Sequence, residues 1–214
     1  TALYAWVDAH HYSPNGPARE LLLADPILPT PPAFTELQLP VESLHERQHK
    51  YLSDPNRKEN EMEPKFVELP AFTVVGMRYY GRNQNQEISR MWGEFNKVSD
   101  QIQHIKPNSP AYGVCFTVPG APNGEFEYVS GFAVDKVEAV PANMVERQIP
   151  AHKYAVFTHV GSLQKLGETY QYIYQTWLPQ SGFQTTGDID FELYDEDFKD
   201  FAPDSRFYIY VPVK

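Results

Sequence analysis

Three places in the sequence carry residue types that could do chemistry. "HERQH", residues 45–49, has the spacing H-E-x-x-H. On a helix, His45 and His49 would share a face suited to zinc, with Glu46 as the base. The motif runs into the polar "KYLSDPNRKEN", whereas a metalloprotease helix is apolar around its ligands, and no distinct third ligand follows. No metal and no cofactor are therefore expected. Cys115 lies in the apolar "VCFTV" and reads as an inert buried thiol. Glu192 is different. It sits in "GDIDFELYD" among Ile189, Phe191, Leu193 and Tyr194, where an ionised carboxylate is costly unless something pairs with it.

Glu192 has two readings: a solvated residue of an alternating strand, or the charged end of a pocket. In a pocket, a carboxylate at the base of aromatic walls attracts a cation. Each ring face adds about 0.5–2 kcal/mol through cation–π contact, and apolar walls strengthen the charge interaction. Against a strained electrophile the same carboxylate could activate water as a general base, with burial raising its pKa.

The elements that must position these residues are legible from residue 63 onward. "KFVELPAFTVVGMRYYG" is β-rich, with an edge or bend at Pro70. "QEISRMWGEFNKVSDQI" spaces Ile88, Met91, Trp92, Phe95, Val98 and Ile102 three or four apart, a helical stripe. "AYGVCFTV" and "EFEYVSGFAV" follow as strands, with Asn123-Gly124 as the turn. The order then recurs. "MVERQIPAHKYAVFTHVG" is extended and broken at Pro150. "LQKLGETYQYIYQTWLPQSG" predicts a helix bearing Leu163, Leu166, Tyr170, Ile173 and Trp177, stopped near Pro179. "IDFELYD" and "RFYIYVPV" close the second unit. Neither unit buries its apolar face alone, so the two are expected to pack as one α+β domain in pseudo-two-fold arrangement, with antiparallel sheets and one helix per unit.

The first 42 residues resemble the end of that unit. "LYAWVDAHHYSPNGPARELLLADP…FTELQLPV" lies over "YQTWLPQSGFQTTGDIDFELYDED…RFYIYVPV", bringing Trp6 to Trp177, Gly16 to Gly187 and Glu20 near Glu192. Residues 1–42 thus read as a partial module, a helix plus two strands, whose front half would lie upstream, or alternatively as a segment that docks on another chain or on the main domain. Residues 43–62 read as a polar linker.

The chain has 214 residues, 42% of them hydrophobic, with 14 Tyr, 13 Phe and 3 Trp. A net charge of −10 opposes phosphate backbones, so nucleic-acid binding by this chain alone is not expected, and cationic partners are favoured. No apolar run is long enough for a bilayer, so no membrane partner is expected. The single cysteine fits a reducing, cytoplasmic compartment. Self-association is left open.

"EPKFVELPAFTVVGMRYYG", "WGEF", "YGVC", "EFEYVSGFAV", "RQIPAHKYAVFTHVG", "DFELYDEDF" and the terminal "YVPVK" together resemble the GyrI-like family, the effector-binding domain of AraC- and MerR-type regulators. The resemblance spans residues 63–214. It implies a duplicated strand-helix-strand-strand fold with a pocket between the halves, binding amphipathic, often cationic, small molecules through a glutamate and aromatic rings. The glutamate corresponds to Glu192. Tyr112 and Tyr128 correspond to the family's strand tyrosines, Trp92 and Trp177 to its helix aromatics, and Tyr154 and Phe157 lie on the strand across. The resemblance also implies two alternatives: hydrolysis of cyclopropane-type compounds by Glu192 and Tyr128, and a gyrase-modulating interaction protein. No helix-turn-helix pattern is read before residue 63, so transcription regulation by this chain alone is not expected. Glu127 reads as solvent-facing, and His152 and His159 as rim residues.

Overall fold

The computed structural model describes residues 62–121, 124–187, 189–199 and 202–214, together with the backbone of four strands ahead of them. These four are β1 (Tyr12–Pro14), β2 (Arg19–Leu23), β3 (Phe34–Gln38) and β4 (Val41–Ser43), paired as β1 with β4 and β2 with β3. The HERQH motif and Trp6 lie outside the described residues. The chain forms two compact units. One comprises Lys58–Gln171 and Gln184–Lys214, the other Thr1–Arg57 and Tyr172–Phe183.

The larger unit is built on one sheet of eight antiparallel strands: β5 (Lys65–Leu69), β6 (Phe72–Gly81), β7 (Ala111–Thr117), β8 (Phe126–Val134), β9 (Met144–Ile149), β10 (His152–Val160), β11 (Ile189–Tyr194) and β12 (Arg206–Pro212). Their order is β5-β10-β12-β11-β7-β8-β6-β9. Separate sheets were expected for the two halves; β11 instead pairs with β7, Glu192 facing Gly113, and fuses them into one. Each half also lends its first strand to the other, since β5 pairs with β10 and β9 with β6. The links Pro70-Ala71 and Pro150-Ala151 join strands from opposite ends of the order, because proline cannot donate to a ladder and breaks the strand at those points. Val67 and Leu69 of one edge therefore pack in the same cluster as Val145 and Ile149 of the other.

Strand alternation divides the side chains between two faces. On one face Val74, Val114, Val129, Tyr154 and Phe191 form the larger core cluster. The other face carries Tyr128, Ser130 and Phe132 from β8 and Glu192 from β11. It is covered by α1 (Glu87–Val98), whose apolar stripe buries Met91 and Phe95. Phe95 is fully buried against Phe132, ring centroids 5.6 Å apart; such burial contributes about 1.5–3 kcal/mol. Gln86, at the N-cap of α1, makes no side-chain cap, and Asn83 supplies it instead: its Oδ1 accepts from the Ile88 N–H at 3.0 Å.

In the second half, α2 (Leu166–Gln171) leads into a π-helical stretch, Tyr172–Trp177, and then a short helix, Leu178–Ser181. The last helix ends at Ser181, two residues past Pro179, with Gly182 in the left-handed conformation as its C-cap. Proline falls in the first turn of the last helix, where its missing N–H costs little, and the wide π turn before it relaxes the i−4 carbonyl clash.

Candidate effector-binding site

Glu192 is a buried carboxylate, 5% exposed, surrounded by phenols. Its Oε2 accepts from Tyr128 Oη at 2.6 Å and from Tyr194 Oη at 2.8 Å, while Oε1 accepts from Tyr170 Oη at 3.0 Å. Among the described residues no basic side chain pairs with it. Burial pushes the Glu192 carboxyl above its usual range; the three phenol hydrogen bonds pull against that shift, and the nearby Asp190 charge adds to it. Burial and then the Glu192 charge hold all three phenols well above their ordinary values, so they remain donors.

Each donor is placed by a different element. Tyr194 lies two residues from Glu192 on β11, hence on the same face. Tyr170 comes from α2, anchored behind by Thr169, whose hydroxyl lies 2.8 Å from His159 Nδ1. Tyr128 comes from β8 in the other half, and its oxygen also accepts from Trp92 Nε1 at 3.2 Å. Trp92 packs edge-on to Tyr194, centroids 5.5 Å apart, and Tyr194 in turn stacks on Phe207 at 4.9 Å.

Gly113 makes the meeting of the halves possible. It faces Glu192 on β11 and Ser130 on β8. A Cβ on it would strike the Tyr128 hydroxyl and lie 2.6 Å from Glu192 Oε2. Ser130 is fully buried in the same cross-strand row, and its Oγ has no hydrogen-bond partner among the described residues.

Residues 65–213 match the family model of the integron-associated effector binding proteins. The chain belongs to that family. Its GyrI-like effector-binding domain is similar to part of the transcriptional regulator BrlR of Pseudomonas aeruginosa, 39% identical over 153 residues, covering 71% of this chain and 56% of BrlR. The chain thus spans about half the length of that relative. The fold is similar to that of SAV2435, solved bound to tetraphenylphosphonium (TM-score 0.56, 24% identity, 72% of this chain and 94% of the other). It is also similar to the integron cassette protein of Vibrio cholerae (TM-score 0.54, 16% identity, 71% and 96%).

In this effector-binding domain Glu192, Tyr128 and Trp92 come together. Phe157, fully buried, shares the Glu192 face through Ile209, which pairs with both. Tyr112 and Tyr154 do not join them. Register decides this: Tyr112 faces Leu193 rather than Glu192, so it points to the opposite side of the sheet. There it meets Phe72 and Phe191 at 5.3 and 5.8 Å. Tyr154, also in that cluster, gives its hydroxyl to the Pro150 carbonyl at 3.2 Å. Trp177 belongs to the smaller unit, buried and stacked on Phe183 at 5.9 Å.

Three expectations are corrected. Glu127 is not solvent-facing: it is 8% exposed and accepts from Arg78 Nε and Arg147 Nε, each at 2.6 Å. His159 is no rim residue but buried at 2%, because Thr169 and the Ser162 carbonyl satisfy its ring nitrogens. Cys115 is half-buried rather than buried, though burial still pushes its thiol up, away from reactivity. Sequence reasoning missed Tyr170 and Tyr194. The i+2 spacing from Glu192 was the available signal for Tyr194; for Tyr170 there was only its place in a helical stripe. Among the described residues no group of three or more potential ligands could hold a metal, and no helix is long and apolar enough to cross a membrane.

Proposed function

We propose that this domain binds a lipophilic cation at Glu192. The observation that carries the reading is a buried carboxylate whose three hydrogen bonds all come from neutral phenols, with no cation among the described residues to balance it. Phenol hydrogen bonds keep the charge tolerable in the free protein but leave it uncompensated. A delocalised cation with apolar substituents supplies the missing charge at small desolvation cost, and the rings of Trp92 and Tyr194 offer it cation–π contacts. The tetraphenylphosphonium carried by SAV2435, a protein of the same fold, belongs to that chemical class. The hydrolytic alternative, with Glu192 and Tyr128 as catalytic groups, needs a carboxylate free to take a proton from water. Three phenol donors on that carboxylate favour binding over turnover.

The test is titration of the chain with tetraphenylphosphonium, read by intrinsic tryptophan fluorescence, for wild type and Glu192→Gln. Saturable binding that weakens in the variant supports the reading. Equal affinity in the two proteins removes Glu192 as the anchor.

A further inference from the structure

Near the N-terminus β2 and β3 repeat the closing strand pair of the effector-binding domain in spacing and register, and Glu20, Leu21, Pro40 and Val41 match Glu192, Leu193, Pro212 and Val213 in residue type. In β2 and β3, Glu20 faces Leu37, Leu21 faces Glu36 and Arg19 faces Gln38. In β11 and β12, Glu192 faces Ile209, Leu193 faces Tyr208 and Phe191 faces Tyr210. Glu20 and Glu192 stand 172 positions apart, and so do their partners Leu37 and Ile209. The loop between the strands is therefore the same length in both copies. At the same separation "LPV" at 39–41 falls on "VPV" at 211–213, so the proline closing each pair coincides.

A second pairing agrees. Pro14 faces Val41 in the pairing of β1 with β4, and Thr185 faces Val213 in an isolated bridge beside the closing pair. Val41 and Val213 keep the 172-residue separation, while Pro14 and Thr185 are one position closer. One residue fewer between β1 and β2 than between Thr185 and β11 accounts for the difference. One chance hairpin could copy a loop length. A hairpin and its flanking bridge sharing register, with one residue fewer between them, point to a common origin.

We propose that residues 12–43 are the closing strands of a second effector-binding module, with Glu20 at the position of the site carboxylate. The partner they fit is an opening half like residues 65–134. In the complete domain β11 is paired on both sides, by β12 and by β7; β2 pairs only with β3 among the described residues. The open side of β2 is the side on which a strand equivalent to β7 docks. Two positions depart from the first copy. Arg19 stands where Phe191 does, and Leu22 stands where Tyr194 does, so a site completed at Glu20 would have one phenol donor fewer. The assignment of a ligand to Glu20 rests on the function proposed above; the assignment of the strands does not.

Two experiments test it. In a Cys115→Ser background, one of the facing pairs Glu20→Cys with Leu37→Cys, or Leu21→Cys with Glu36→Cys, closes an intrachain disulfide on mild oxidation, because facing pairs alternate between wide and close spacing. Glu20→Cys with Glu36→Cys, on opposite faces, stays reduced. Closure of that last pair, or of neither facing pair, overturns the register. In the second experiment residues 63–182 are fused directly ahead of residue 12 of the chain. Amide exchange in β2 then slows at least tenfold relative to the parent, and tetraphenylphosphonium binds in two equivalents, one of them lost in Glu20→Gln. Unchanged exchange in β2 overturns the module assignment whatever the ligand does. Slowed exchange without a second equivalent upholds the strand assignment and overturns Glu20 as a site carboxylate.

Discussion

Tyr128 donates a 2.6 Å hydrogen bond to Glu192 across 64 residues of sequence, from the opening half of the domain to the closing one. The same phenol oxygen receives the indole N–H of Trp92 on α1. The site is therefore a joint between the halves, and its charge, its hydrogen bonds and the packing of α1 are coupled.

Glu192→Gln tests the charge. Burial raises the Glu192 carboxyl, so over the window between the ordinary carboxylate value and the raised one, the folded chain keeps a proton the unfolded chain has lost. The stabilisation this gives is complete below about pH 4.3 and is lost as pH rises through the raised value. The variant has no such loss. Its melting temperature relative to wild type is expected to climb with pH across that window, while tetraphenylphosphonium affinity at neutral pH drops by at least about tenfold, about 1.4 kcal/mol.

Tyr128→Phe removes the shortest donor to Glu192 and strands the Trp92 N–H. The expected cost is about 1–3 kcal/mol in urea unfolding. With one donor gone, the Glu192 carboxyl moves further up, so the acid limb of cation binding shifts to higher pH. Tyr170→Phe removes the longer 3.0 Å bond and is expected to shift it less. An equal or larger shift in Tyr170→Phe would contradict this ranking.

Gly113→Ala puts a methyl between the two partners. The new carbon would lie 2.6 Å from Glu192 Oε2 and against the Tyr128 hydroxyl. Overpacking of this kind costs about 1–3 kcal/mol. Cation affinity should fall with it, as measured by the same fluorescence titration, even though no polar group has been removed.

Glu127 tests a second buried carboxylate with the opposite sign. Burial pushes its carboxyl up, but the hydrogen bonds and charges of Arg147 and Arg78 outweigh that and leave it below the usual range. Its contribution is present above the ordinary carboxylate value and is lost as pH falls through the depressed one. Arg147→Ala is expected to destabilise by about 1–3 kcal/mol at neutral pH, with the deficit shrinking in acid unfolding curves, and to leave cation affinity unchanged.

The helical stripe of α1, the proline breaks at residues 70 and 150 and the recurrence of strand, helix, strand, strand were all legible, because periodicity and punctuation are local. Register between distant strands was not. Tyr112 and Glu192 sit on adjacent strands, and one position of slip decides whether they share a face; here Gly113 takes the facing place. The same blindness hid the guanidinium partners of Glu127, which come from β6 and β9, and the Thr169 partner of His159. The stop of the second helix near Pro179 was legible, but the π turn within it was not, because it leaves no periodic signature of its own. Glu192 could be singled out as costly from its neighbours alone, but the phenols that make it tolerable arrive from three elements, only one of which is its own strand.

The exchange of β5 and β9 between the halves has a mechanical consequence. A protease cutting the connection between Val134 and Met144 would sever the backbone without releasing either fragment, since each piece still holds a strand of the other in its ladder. The halves are clasped rather than hinged, so an occupant of the joint would be sensed through rotation of rings around it, with little opening of one lobe against the other.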